Sequence, residues 1–230
     1  MTWTQSSTKM SNDKKIIRVE PIDNWFVITW ELGNRCNQSC AYCHPKLHSP
    51  TGKLYTLEEL QNFWIDIYTK TKHLGLRYKI CFSGGEATTQ KNFLPFLEWL
   101  KTEYQEQIAK LVLTSNGTAS ANYYIKALTL IENLSISVHS EYINEIKFFS
   151  KLIELKNRLP RDKFLHVNIM NEPWNQVRIA YYEQVLKEFD IYYTVNTILY
   201  PEDRKLIPIF KGDLNFDLTK SPKLQLQNNA

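Results

Sequence analysis

The sequence predicts an α/β fold, an open partial (β/α)6 barrel with parallel strands. Two observations carry that expectation. Six short apolar runs recur between residues 25 and 200, and each of the first five is followed by a helix-like stretch. Strands that alternate with helices form parallel sheets, because each crossover returns the chain to the same edge. The runs are also nearly continuous in apolar residues, as strands covered on both faces should be. Six units fall short of the eight of a closed barrel, so the sheet is expected to stay open.

The elements follow in order. Trp25 to Leu32 is the first strand and leads into a cysteine loop. Thr56-Leu57-Glu58-Glu59 has the form of a capping box. Behind it Leu60, Phe63, Trp64 and Ile67 take the helical i, i+3, i+4, i+7 spacing. The second strand is Tyr78 to Phe82, and a helix over about 93–107 tolerates Pro95 in its first turn. The third strand is Lys110 to Thr114, with a helix around 121–129. The fourth is Leu134 to Val138, and its helix sets Ile143, Ile146, Phe149, Leu152 and Ile153 on one side. The fifth is Phe164 to Met170. Pro173 opens the next helix, with Val177, Tyr181 and Val185 facing in. The sixth is Ile191 to Leu199. Residues 1–24 read as a polar extension, disordered over about the first 15. Residues 25–200 read as the barrel, and 201–230 as a short extension with one strand near 206–210.

Composition bounds the class. The chain has 230 residues, enough for one large domain or two small ones with an ample core. Hydrophobic residues make up 43% and charged residues 23%, ordinary globular values. A formal charge of +4 without a clustered basic patch gives no clear nucleic-acid signature. Four cysteines form no disulfide framework, which points to a reducing compartment. There is no signal-peptide pattern and no apolar run near the roughly 20 residues of a membrane span, so the expected location is cytoplasmic.

Cys36-Asn37-Gln38-Ser39-Cys40-Ala41-Tyr42-Cys43 places three thiols in eight residues. Near neighbours pair poorly as disulfides, and one would be left over. Thiolates clustered this way chelate a metal centre from one side. Three ligands on a four-iron cluster leave one iron open for chemistry. The alternatives are a Cys3His zinc knuckle using His44 or His48, in a non-enzymatic binding module, or thiols gathered by chance. His44 adjoins Cys43, so both fit poorly into one tetrahedral site.

The C-x3-C-x2-C spacing, with Tyr42 before the third cysteine, resembles the signature of the radical S-adenosylmethionine (radical SAM) enzymes. The resemblance implies a [4Fe-4S] cluster on Cys36, Cys40 and Cys43, with S-adenosyl-L-methionine on its open iron. It implies reductive cleavage of that cofactor to a 5'-deoxyadenosyl radical that abstracts a substrate hydrogen. It also implies an external one-electron donor such as flavodoxin or ferredoxin, and the partial barrel is the fold this family uses.

The remaining polar candidates stand at strand ends, where parallel barrels gather their active sites. Ser83-Gly84-Gly85-Glu86 follows strand two. Two glycines let the backbone approach a ligand, and Glu86 adds an acceptor for an ammonium group. This turn resembles the family's motif that holds the methionine amino group. Asn116-Gly117 is a turn that also stands to line a cofactor pocket. Ser137 and His139 alternate on strand four and so share a face, positioned to contact the ribose or the methionine carboxylate, with Asn168 a similar candidate on strand five. Their plain alternatives are a small barrel-lining serine and a satisfied buried histidine. Tyr42, Ile198 and Leu199 are candidates to sandwich the adenine. Cys81 reads as a core residue. His139, Glu172 and Tyr200 are the few groups suited to acid–base work. The substrate reading favours a peptide or protein side chain, with a small metabolite or nucleotide as the alternative.

Overall fold

The computed structural model of the chain describes residues 25–171 and 175–198. Six strands form one parallel sheet in sequence order, from β1 (Trp25–Glu31) and β2 (Arg77–Ser83) to β3 (Ile108–Ser115), β4 (Asn133–Val138), β5 (Phe164–Asn171) and β6 (Tyr192–Thr197). Five helices cross between them: α1 (Leu57–Thr71), α2 (Phe93–Glu103), α3 (Ala121–Leu128), α4 (Glu145–Asn157) and α5 (Gln176–Glu188). This is the open partial barrel the sequence predicts. Glu172, Pro173, Leu199, Tyr200 and the terminal extensions lie outside the described residues.

Local chemistry starts the helices where expected. The Thr56 hydroxyl accepts from the Glu59 amide, and the Glu59 carboxylate accepts from the Thr56 amide, closing the capping box of α1. Trp64 of α1 is fully buried, with its ring edge-on to Tyr78 of β2 at 5.2 Å and to Tyr104 at 5.4 Å. Large aromatic payloads of this kind hold helix layer to sheet.

Three expectations need correction. First, the strands are covered on one face only. Tyr78, Ile80 and Phe82 are buried beneath the helices, whereas Lys79, Cys81 and Ser83 between them are half-buried. The sheet does not close, so its concave face keeps solvent access. Second, Phe63, Ile146 and Val177 are exposed. The buried stripe of α4 is Phe148, Phe149, Leu152 and Leu155, and that of α5 includes Ile179, Tyr182 and Val185. Third, α2 stops at Glu103 and β3 begins at Ile108, because Tyr104 leaves helical geometry and its carbonyl accepts from both Gln107 and Ile108.

Sheet register decides what shares the concave face. Glu31 pairs with Ser83, Thr114 with Ser135, and Ser135 with His166. One residue-pair further along, Ser137 pairs with Asn168 and Asn168 with Thr194. These polar rows cross the sheet obliquely, from near the carboxyl ends of β3 and β4 towards the amino ends of β5 and β6.

Candidate active site

The loop after β1 is gripped at both ends by backbone. Leu32 N donates to Ser83 O at 3.0 Å, Gly85 N to Gly33 O at 2.8 Å and Glu86 N to Arg35 O at 2.6 Å. Gly84 has φ +97°, and a Cβ there would lie 2.8 Å from Gly33 O. A Cβ on Gly85 would overlap the Arg35 carbonyl, 2.6 Å from its carbon. The glycine pair is therefore required for approach to the cysteine loop itself. Further along, Cys36 N donates to Ser49 O at 3.0 Å and Ser49 N to Asn34 O at 2.7 Å, which ties off the loop.

Two strand ends hold the cysteines from the other side. After β3, Asn116 donates through Nδ2 to Asn37 Oδ1 at 2.9 Å, and its Oδ1 accepts from the Thr118 hydroxyl at 2.7 Å. Thr118 in turn accepts from Asn37 Nδ2 at 2.8 Å. After β4, Glu141 accepts from Ala41 N at 3.1 and 3.2 Å, and the Tyr142 hydroxyl donates to Ser39 O at 2.7 Å. His139 Nδ1 is 3.5 Å from Cys40 Sγ and is also hydrogen-bonded with the Tyr42 hydroxyl, whose ring stacks on the imidazole at 5.9 Å.

These loops enclose a cavity of about 580 Å³ at the carboxyl ends of β1 to β4. That volume suits a small-molecule cofactor. Cys36, Cys40 and Cys43 line it, facing Gly84, Gly85 and Glu86. Asn116, Ser137, His139 and Tyr42 complete the wall. Among the described residues no three His, Cys, Asp or Glu side chains converge as a single-ion site requires. The thiols instead stand on one wall of a roomy cavity, a soft donor set that fits an iron–sulfur cluster held from one side. Burial pushes the Cys36 thiol up and, with the Glu141 charge adding to it, the Cys40 thiol up to about 12. Burial also holds the His139 imidazolium down, to about 4, so the ring is neutral.

The Radical SAM superfamily profile matches residues 30–160. The chain belongs to the radical SAM superfamily. It is an enzyme of that superfamily, and one stretch is 33% identical over 87 residues to a "Probable GTP 3',8-cyclase" of Pyrococcus horikoshii. That stretch is 38% of this chain and 25% of the relative's length. In fold it is similar to a structure of native anSMEcpe with bound AdoMet, with a TM-score of 0.58, 16% identity, and 88% of this chain against 58% of that one. BtrN in complex with AdoMet and 2-DOIA shows a TM-score of 0.45 at 18% identity, over 62% of this chain and 56% of that one. The chain thus spans little more than half of these solved structures and matches a quarter of the curated relative.

Within this radical SAM fold Glu86 is a brace as well as a cavity residue. It is 3% exposed. Its Oε1 accepts from Thr88 N at 3.1 Å, Thr88 Oγ1 at 2.7 Å and Ser115 Oγ at 2.8 Å, while Oε2 accepts from Asn116 N at 2.6 Å. Ser115 is fixed from behind by the Tyr124 hydroxyl at 2.7 Å. One carboxylate therefore locks the β2 turn to the end of β3. Among the described residues Oε2 takes one donor, so it keeps capacity for a further donor from the cavity.

The other candidates sort by position. Ile198 follows β6, where its amide donates to Asn171 O at 3.1 Å, and it does not line the cavity. Leu199, Glu172 and Tyr200 fall outside the described residues. Asn168 does not line the cavity either and donates to Ser135 Oγ at 2.7 Å. Cys81 is half-buried on the concave face rather than in the core, apart from the other thiols. Sequence reasoning missed Ser115, Tyr124, Gln38 and the Glu141–Tyr142 pair. An acidic residue two positions beyond a strand-end histidine was the available signal for Glu141.

Proposed function

We propose that this enzyme cleaves S-adenosylmethionine reductively and uses the resulting radical on a small, uncharged polar substrate such as a nucleoside. The observation that supports it is the meeting of Cys36, Cys40 and Cys43 with Gly84, Gly85 and Glu86 across one strand-end cavity. Cys36, Cys40 and Cys43 are the residues to hold the four-iron cluster. When bound, that cluster supplies one electron, from a donor of the flavodoxin or ferredoxin class, to break the cofactor's carbon–sulfur bond and release the hydrogen-abstracting radical.

The chain's own residues supply position. Glu86 Oε2 and the glycine turn are placed to receive the methionine ammonium, a charge-assisted contact. Asn116, Ser137 and His139 face the ribose and carboxylate region, and Tyr42, held by His139, offers a ring to the adenine. Next to this cavity the concave face of β4 to β6 carries Ser135, His166, Asn168, Thr194 and Asn196 in one hydrogen-bonded network. None of these side chains is an acid or a base of full charge, and the aromatic rings beside His166, Phe164 and Tyr192, begin β5 and β6 at the amino ends, away from the cavity. Neutral donors and acceptors suit an uncharged polar group better than an ionic one. The name of the Pyrococcus horikoshii relative agrees with a substrate that carries a nucleobase. The open edge between β1 and β6 favours the second reading, a peptide side chain entering laterally.

Anaerobically reconstituted protein tests both. With reductant and S-adenosylmethionine, 5'-deoxyadenosine should form, and faster with nucleosides than with peptides. No 5'-deoxyadenosine from iron-loaded protein with any addition overturns the chemistry. Acceleration by peptides alone overturns the substrate reading.

A further inference from the structure

The turn between β4 and α4 grips four consecutive residues of the cysteine loop, Ser39 to Tyr42, with three of its own. Tyr142 binds Ser39, His139 meets Cys40 and Tyr42, and Glu141 takes the Ala41 amide. Ala41 sits between two of the three thiols. Both Glu141 oxygens lie within 3.2 Å of its nitrogen, so a half-buried carboxylate is anchored beside the thiol cavity.

We propose that Glu141 is a redox-positioning residue that holds the reduction potential of the cluster low. The inference rests on the cluster assignment above. Reduction adds one negative charge to the cluster, and a fixed carboxylate in a partly dry site opposes it. Glu141 also occupies the Ala41 N–H, which would otherwise be available to a cluster sulfur, and amide donors to sulfur raise such potentials. Both effects have the same sign. Among the described residues, cationic groups near the loop oppose them: Lys46 lines the cavity, and Arg35 is tied to Gly52 O at 3.0 Å.

Glu141→Gln separates charge from hydrogen bond, because the carboxamide oxygen still accepts from Ala41. The measurement is the midpoint potential of the reconstituted cluster, from a redox titration followed by electron paramagnetic resonance, with iron per chain read in parallel. The expected result is a shift to more positive potential at unchanged iron content, and a larger shift for Glu141→Ala. Iron-loaded Glu141→Gln with the wild-type potential overturns the proposal. Should Glu141→Gln lose iron, Glu141→Asp and Glu141→Asn differ by the same charge at equal length. Asn must then titrate more positively than Asp, and equal potentials overturn the idea. A wild-type preparation that binds no iron would sink the cluster assignment instead, before any variant is compared.

Discussion

Glu86 Oε2 lies 2.6 Å from the amide nitrogen of Asn116, across the boundary between two strand ends. The same carboxylate takes three donors on its other oxygen. A residue expected to face a ligand is thus also the main tie between the β2 turn and β3. Ligand contact and scaffold cannot be separated at this position.

Glu86→Gln turns one acceptor into a donor among groups that already donate. Hydrogen bonds to charged groups contribute roughly 1.5–3 kcal/mol each, and the loss here should lie in that range. For a domain of this size that lowers Tm by about 3–12 °C. Thermal melts of apo-protein read this part, and calorimetry with S-adenosylmethionine on iron-loaded protein reads the cofactor part. An unchanged melt would mean that the four contacts contribute nothing net.

Gly85→Ala should cost the enzyme its iron. The new methyl has no room against the Arg35 carbonyl, so the leg of the loop that leads into Cys36 must move. Gly75 is the control. Its φ is +64°, but nothing lies within 4 Å of an added Cβ, so Gly75→Ala carries a backbone cost of about 1–2 kcal/mol and keeps full iron. Equal iron in both variants would show that the loop tolerates displacement at Gly85.

The sheet was legible because each apolar run is also a strand, and the strand-end glycines and cysteines marked the end that holds the cavity. Cover on both faces was not legible. Apolar continuity cannot tell a closed barrel from an open one, and Cys81 and Val112 pair on a concave face that stays open. Ile146 and Val177 misled because each occupies the second position of its helix, where a residue can match the 3.6 period yet overhang the sheet. The Glu141–Ala41 contact joins residues 100 apart, and no local pattern announces a long-range side-chain-to-backbone bond.

Cys81→Ala should retain its iron, and Cys40→Ala should lose most of it. Cys81 lies within β2, on the concave face and outside the strand-end cavity, whereas Cys40 is buried between Gln38 and His139. Iron and sulfide per chain after reconstitution check the pair. Comparable loss in both would remove the three-cysteine assignment.

His166 gives the fold a pH dependence whose sign can be worked out. Ser135 Oγ meets its Nδ1 and Thr194 Oγ1 its Nε2, each at 3.1 Å, and its ring clusters with Phe164 and Tyr192. No carboxylate takes part in these contacts, and burial lowers its pKa. As the pH falls below the ordinary imidazole value of about 6.5, the unfolded chain takes up a proton that the folded chain still refuses. The unfolded state then binds more protons, so stability falls on acidification through that window and is fully present above it. His139, buried at the cysteine loop, acts with the same sign. His166→Gln keeps a hydrogen-bonding side chain but cannot titrate. Denaturant unfolding of apo-protein at several pH values between 7 and 5 should therefore give a shallower slope for the variant than for the wild type. Parallel curves would show that this imidazole is as free to charge in the folded chain as in the unfolded one, and that water reaches the β4–β6 face without hindrance.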